Sequence, residues 1–170
     1  MPREAPFLRF ALLLCPLMGC ATSPDDFLEH NKQVVRVQHE QVWSKGDLDL
    51  IEELYTPDFV CHFLVGPDWV GRNGVREQVH AHRASFPDWH ESVEQIIAEG
   101  DFVTTRFTST GTHRGEFQGI PPTGVRVTVR EVAIYRLSNG RIAEQWGFPD
   151  IMGLREQLEA ASHPRPAPPR

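Results

Sequence analysis

Cysteine is scarce in this sequence, with three among 170 residues. Only Cys61 lies beyond residue 20, and a single cysteine cannot form an internal disulfide. The sequence therefore excludes a small scaffold held together by disulfides. Residues 59–63 are mostly apolar and predict a strand, in which a free cysteine behaves as a small apolar side chain.

Clusters of basic residues are absent. The chain carries 17 Lys and Arg against 23 Asp and Glu, a formal net charge of -6. No basic block is available to follow a phosphate backbone, so no nucleic-acid partner is expected. A metal-ligand pattern is missing too, because His80 and His82 are two residues apart in a predicted helix and point to different faces. No metal is expected.

No apolar run is long enough to cross a bilayer, which requires ~20 residues. The run over residues 10–18 follows Arg3 and Arg9 and ends in Leu17-Met18-Gly19-Cys20, which is similar to the lipobox of bacterial lipoproteins. This pattern predicts a lipoprotein signal peptide over residues 1–19. The alternatives are an ordinary signal peptide with a chance cysteine, or a buried helix.

Lipidation of Cys20 would place the protein at the cell envelope. Acyl chains contribute about 0.8 kcal/mol per buried CH₂, so several chains anchor a domain stably. Residues 20–26 are predicted to be a tether, and the resemblance to bacterial lipoproteins, with Ala21 rather than Asp after the cysteine, implies sorting to the outer membrane, on its periplasmic side. At the other end, the proline-rich residues 161–170 predict a disordered tail.

The rest of the chain has the pattern of one α+β domain over residues 27–160, with helices first and a run of strands after them. Spacing and turn residues predict helices over residues 26–44, 47–54, 71–86 and 151–160, and strands over residues 59–65, 89–98, 102–113, 125–137 and 141–148. Asn139-Gly140 predicts a tight hairpin between the last two strands. A curved antiparallel sheet with helices on one face encloses a conical cavity, which suits a small-molecule ligand.

Several segments resemble the SnoaL-like polyketide cyclases (ester cyclases) of the NTF2-like superfamily. The most specific is Gly119-Ile120-Pro121-Pro122-Thr123-Gly124, supported by Trp43-Ser44-Lys45-Gly46-Asp47 and Glu144-Gln145-Trp146. The resemblance covers about residues 26–158. It implies an NTF2-like cone, a homodimer formed through the exposed face of the sheet, and a small carbonyl compound as substrate.

The resemblance also implies a reaction without a cofactor. Cyclases of this family close a ring by an intramolecular aldol reaction, in which a carboxylate removes a proton next to a carbonyl group. The family's base, an aspartate directly before the tryptophan of the last strand, corresponds here to Gln145, and its histidine partner corresponds to Glu131. Glutamine cannot accept a proton at neutral pH. Either the base has moved, or this protein is not an aldol cyclase.

Glu131 is the main candidate for a displaced base. It shares one face of its strand with Val127, Val129, Ala133 and Tyr135, an apolar setting that raises the pKa of a carboxyl group. If Gln145 faces it across the hairpin, the two side chains would together hold a substrate carbonyl. The alternative is structural, an ion pair of Glu131 with Arg106 or Arg130.

Other site residues follow from position and from the resemblance. His113 is a candidate oxyanion donor, although a histidine at a strand end is more often solvent-facing or structural. His62 is expected to point into the cavity beside Phe63. The expected cavity or substrate-binding residues are His62, Phe63, Trp69, Phe86, Trp89, Arg106, Phe117, Tyr135 and Trp146.

Two functions remain open from the sequence. One is a cofactor-free enzyme for proton transfer or ring closure, which Glu131 on its apolar stripe favours. The other is a non-catalytic ligand-binding module held at the envelope, which Gln145 and the lipobox favour. Titratable groups converging on an apolar, water-accessible cavity would support the enzyme.

Overall fold

The first helix begins at a capping box. The Ser23 hydroxyl accepts a hydrogen bond from the backbone N–H of Asp26, and the Asp26 carboxylate accepts one from the N–H of Ser23. The computed structural model describes residues 23–63 and 66–162. The predicted signal peptide, the lipidation site Cys20 and nearly all of the predicted tail lie outside these residues.

Four α-helices and one π-helical turn are present in this part of the chain. Helix α1 (Pro24–Val37) runs directly into the π-helical turn (Gln38–Trp43). The remaining helices are α2 (Ile51–Leu54), α3 (Gly71–Ser85) and α4 (Ile151–Ser162). Helix α1 begins within the predicted tether, and α4 extends two residues into the predicted tail.

Six strands form one sheet within the described residues. They are β1 (Tyr55–Phe63), β2 (Trp69–Val70), β3 (His90–Glu99), β4 (Phe102–Thr112), β5 (Arg126–Ser138) and β6 (Arg141–Pro149). Their order is β2-β1-β6-β5-β4-β3, with every pair antiparallel except β1 and β6. The predicted α+β fold, a curved sheet with helices packed on one face, is confirmed.

The start of the sheet differs from the prediction. Strand β1 begins at Tyr55 rather than near Phe59 and pairs parallel with β6, and the short strand β2 was not predicted. Pro57 suggested a break at this point. It is tolerated because the pairing of β1 with β6 is interrupted between Tyr55 and Val60, where a missing N–H costs no ladder hydrogen bond.

The main core lies between the helices and one face of the sheet. It includes Val35, Val42, Ile51 and Phe59, all at most 1% exposed. The opposite face of the sheet carries the exposed apolar side chains Ile97, Phe102, Val132 and Phe148. The homodimer expected through this face remains a prediction. None of the described helices combines the length and apolar character needed to span a membrane.

Candidate functional site

A cavity of about 310 Å³ lies between the helices and the inner face of the sheet. Much of its wall is aromatic, with Trp43, Phe63, Trp69, Trp89, Phe107 and Phe117. Its polar side chains are Gln38, His39, Gln78, His82, Glu91, Gln118, Glu131, Tyr135 and Gln145. An apolar pocket with a small number of polar groups is the usual form of a small-molecule site.

A chain of buried hydrogen bonds enters the cavity from the π-helical turn. The Tyr55 hydroxyl donates to Gln38 Oε1 over 2.9 Å, and Gln38 Nε2 donates to the Tyr135 hydroxyl over 3.0 Å. That hydroxyl lies 3.0 Å from His39 Nε2, and Thr105 Oγ1 lies 3.2 Å from the same nitrogen. π-Helical turns are rare and often occur at functional sites, and here one directs Gln38 and His39 inward.

His39 and Glu91 form a buried pair at the end of this chain. His39 Nδ1 is 2.6 Å from Glu91 Oε2, and the Trp89 indole N–H donates to Glu91 Oε1 over 3.1 Å. The Ser44 hydroxyl accepts from the Glu91 backbone N–H and donates to the His39 carbonyl, which fixes the two backbones together. In the tautomer with hydrogen on Nδ1, His39 donates to Glu91, and its Nε2 accepts from the Tyr135 hydroxyl.

Glu131 lines the same cavity from strand β5. The Ser109 hydroxyl donates to its Oε1 over 2.5 Å. The pKa of Glu131 is raised to about 8, mainly because burial removes the carboxyl group from water and secondly because Glu91 is negatively charged. The hydrogen bond from Ser109 acts in the opposite direction and lowers the pKa. Glu131 is therefore mostly protonated at neutral pH and can both release and accept a proton.

The alternative for Glu131, an ion pair with Arg106 or Arg130, does not form among the described residues. Arg106 is exposed and binds Glu94 and Gln95 of the neighbouring strand β3. It was also predicted to line the cavity, and that was wrong. Adjacent residues of a strand point to opposite faces, so Arg106 and the cavity-lining Phe107 lie on different sides of the sheet.

Gln145 also lines the cavity, but it does not face Glu131 directly. The register of β5 and β6 pairs Gln145 with Tyr135 and Glu131 with Pro149. The condition that Gln145 faces Glu131 across the hairpin is therefore not met, because the two positions are offset by four residues along the strands. They share one face of the sheet and reach the same cavity from different points.

His62 and Trp146 lie on the outer face of the sheet, where they were not expected. His62 binds Asp68 over 2.9 Å and Glu144 over 3.0 Å, and its ring stacks on Trp146 with centroids 5.6 Å apart. The error follows from strand periodicity, because each residue is adjacent in sequence to one that lines the cavity. His62 is adjacent to the cavity-lining Phe63, and Trp146 is adjacent to the cavity-lining Gln145.

His113 and Phe86 are buried outside the cavity lining. The His113 ring is fully buried, with Nδ1 3.1 Å from Thr123 Oγ1, and it packs on Phe86 with ring centroids 5.3 Å apart. His113 therefore holds the loop after β4 and does not meet a ligand as an oxyanion donor. The remaining residues expected in the cavity, Phe63, Trp69, Trp89, Phe117 and Tyr135, all line it.

Sequence reasoning missed His39, Glu91 and His82 as cavity residues, although a periodic signal was present for each, since His82 lies three residues after the buried Val79 of α3. His39 lies four residues after Val35 and three before Val42, both fully buried, which is helical spacing on one face. Glu91 lies two residues after the buried Trp89, which is the spacing of side chains on one face of a strand. The hydrogen bond between His39 and Glu91 joins residues 52 positions apart, and neither the helical nor the strand pattern reveals it.

Comparison with known proteins connects this geometry to one family. The family model described as SnoaL-like polyketide cyclase matches residues 33–158. The nogalonic acid methyl ester cyclase of Streptomyces nogalater is 27% identical over 118 residues, covering 68% of this chain and 88% of that protein. An aklanonic acid methyl ester cyclase of Streptomyces sp. (strain C5) is 30% identical over 140 residues, covering 79% of this chain and 78% of that protein.

Solved structures agree with the sequence comparison. A protein assigned as a SnoaL-like polyketide cyclase from Jannaschia sp. CCS1 superimposes with a TM-score of 0.74 at 27% identity, covering 86% of this chain and 97% of that one. IdmH from Streptomyces antibioticus, assigned as a polyketide cyclase, gives a TM-score of 0.67 at 31% identity, covering 76% of this chain and 98% of that one.

Proposed function

Because the chain belongs to the SnoaL-like polyketide cyclase family, we propose that it catalyses cofactor-free proton transfer that closes a ring on a small carbonyl compound. The observation that carries this proposal is Glu131. Its carboxyl group lies in the cavity wall with a pKa raised to about 8, close to the pH at which a general base works best. His39 and Glu91 line the same cavity, which meets the expectation for an enzyme better than for a binding module.

The proposed step conserves every atom of the substrate. The ionised Glu131 removes a proton from the carbon next to a carbonyl group, which leaves an enolate. The enolate carbon attacks a second carbonyl carbon of the same molecule, forming a carbon–carbon bond and an alkoxide. The protonated Glu131 returns its proton to the alkoxide, so the carboxylate is regenerated and the product is an isomer of the substrate.

Neighbouring side chains supply the remaining requirements. Gln145 makes no hydrogen bond to another described side chain, so its amide N–H is available for the oxygen that gains charge in the enolate. The Ser109 hydroxyl holds Glu131 in place. The lining includes no Lys or Arg from the described residues, which suits a substrate that is uncharged where it contacts the wall.

Replacing Glu131 by glutamine tests the proposal. The variant keeps the size of the side chain and removes the base, so we expect the rate of ring closure of nogalonic acid methyl ester to fall by about 10² to 10⁴. Exchange of the substrate's α-protons in D₂O, followed by mass spectrometry, should fall in parallel. In the unsubstituted protein kcat/KM should rise with pH and level off above about 8, the pKa of Glu131.

The matched control is Glu99→Gln at the exposed end of β3, away from the cavity lining. It makes the same chemical change and should leave both rates unaltered. Wild-type rates of ring closure and exchange in Glu131→Gln would refute the role of Glu131.

A non-catalytic ligand-binding module is the second candidate. Gln145 favours it, because the carboxylate of the family's active cyclases is replaced there by an amide. If the protein binds the methyl ester but supports neither ring closure nor α-proton exchange, the result favours the binding module.

We also propose that Cys20 carries acyl chains that hold the domain at the cell envelope. The support is the sequence Leu17-Met18-Gly19-Cys20 and the short apolar run before it. In a bacterial host, Cys20→Ser should move the protein from the membrane fraction to the soluble fraction and abolish palmitate labelling. Cys15→Ser is the matched control and should change neither. Membrane association of Cys20→Ser at the wild-type level would contradict the anchor.

A further inference from the structure

His82 is a cavity-lining group that the proposed reaction does not use. It lies on helix α3, and its imidazole is surrounded by aromatic rings. The ring centroids of Trp89, Phe86, Trp43 and Phe117 are 4.2, 5.3, 6.2 and 6.3 Å away. A polar ring in this position is costly unless its nitrogen atoms find partners.

His82 Nε2 lacks such a partner. The atom is buried, and no described residue forms a hydrogen bond with it. An unsatisfied buried polar atom destabilises the folded protein, and native proteins contain few of them. Burial, together with the charge of Arg83, lowers the pKa of His82 to about 4, so the ring is neutral at physiological pH and can both donate and accept.

His82 and Glu131 belong to different walls of the cavity. His82 lies on helix α3, whereas Glu131 lies on strand β5 of the sheet. The Trp89 indole packs against His82 on one side and donates to Glu91 on the other. A ligand in this cavity therefore has Glu131 on one wall and His82, packed beside Trp89, on another.

Phe117 lies edge-on to the imidazole, with ring centroids 6.3 Å apart. This residue lies in a tight turn in which Phe117 and Ile120 hydrogen-bond to each other through their backbones, and the adjacent Gln118 and Gly119 are exposed. Phe117 and Ile120 pack against the buried cluster around Phe86, so the exposed tip of the turn is the part that can shift to admit a ligand oxygen.

We propose that His82 hydrogen-bonds an oxygen atom of the ligand, a hydroxyl or carbonyl group remote from the carbon that reacts at Glu131. The imidazole is then a specificity-determining group that selects ligands carrying an oxygen on the side facing α3. This inference rests on the proposed function only in placing the ligand in the same cavity, because binding does not require Glu131 to act as a base.

Two probes of nearly equal shape test the proposal, 2-naphthol and 2-methylnaphthalene, with binding measured by equilibrium dialysis. We expect the full chain to bind 2-naphthol roughly threefold to tenfold more tightly, as one net hydrogen bond gives. His82→Phe keeps the aromatic packing and should remove the preference while retaining the affinity for 2-methylnaphthalene. His82→Gln, which restores a donor and an acceptor, should recover part of it.

Two controls separate this proposal from structural damage and from the proposed catalysis. His80→Phe lies on the same helix, is exposed and should keep the preference. Glu131→Gln should also keep it, even where turnover is lost, so failure of one proposal leaves the other standing. An unchanged preference in His82→Phe, or equal affinity of the unsubstituted protein for both probes, or no binding of either, would overturn the role of His82.

Discussion

Replacing Glu91 by alanine is expected to lower the free energy of unfolding by about 3–5 kcal/mol. The carboxylate is buried and accepts hydrogen bonds from His39 Nδ1 and Trp89 Nε1. Its removal leaves both donors buried without an acceptor and opens a space beside the His39 ring. The same change removes the negative charge that helps to raise the pKa of Glu131, so that pKa should fall.

Urea denaturation followed by tryptophan fluorescence measures the effect. Glu91→Gln keeps the volume and one acceptor, so it should cost less than alanine does. Glu99→Ala on the same strand, with an exposed side chain, should change stability by less than about 0.5 kcal/mol. A loss below 1 kcal/mol in Glu91→Ala would mean that the buried pair contributes little to the fold.

Above about pH 6.5, where the buried His82 is neutral in both the folded and the unfolded protein, the stability of the unsubstituted protein should fall as pH rises to 9, and Glu131 should be a main cause. The pKa of its carboxyl group is about 8 in the folded protein against 4.5 for an unperturbed glutamate. The folded state therefore favours the protonated form. The corresponding stability is fully present below about pH 4.5 and is lost as pH rises through 8. A shift of this size corresponds to a few kcal/mol.

The test compares urea midpoints of the unsubstituted protein and Glu131→Gln at several pH values. Glutamine does not ionise, so the variant should lose much less stability between about pH 6.5 and 9 and should be the more stable of the two at pH 9. Glu99→Gln should follow the unsubstituted protein. Parallel curves for Glu131→Gln and the unsubstituted protein would show that Glu131 ionises at its ordinary pKa.

The fold was largely predictable because its signals are local. Period-two alternation located β5, and Asn139-Gly140 located the hairpin that follows it. The parallel pairing of β1 with β6 could not be predicted in this way. It joins strands about 80 residues apart and depends on the whole sheet being assembled, as the pairing of His62 with Trp146 illustrates.

The site was predictable only in part, for a related reason. Glu131 was identified from its own strand, since an acidic residue on an apolar stripe is a local signal. His39 was missed because its chemistry comes from Glu91, Tyr135 and Thr105, which lie on three different strands. His62 and Trp146 were misplaced by a shift of one residue, which in a strand exchanges the two faces.

The π-helical turn after α1 divides one continuous helix into two segments with different angular phase. Each residue of an α-helix advances by about 100°, and the wider π-helical turn resets that count. Val34 and Val35 before it and Val42 within it pack in the core, and His39 and Trp43 of the turn also line the cavity. A one-residue deletion inside the turn would restore α-helical spacing and rotate the side chains that follow it in this segment by about 100° relative to α1. The length of this segment is thus as important to the site as the identity of its residues.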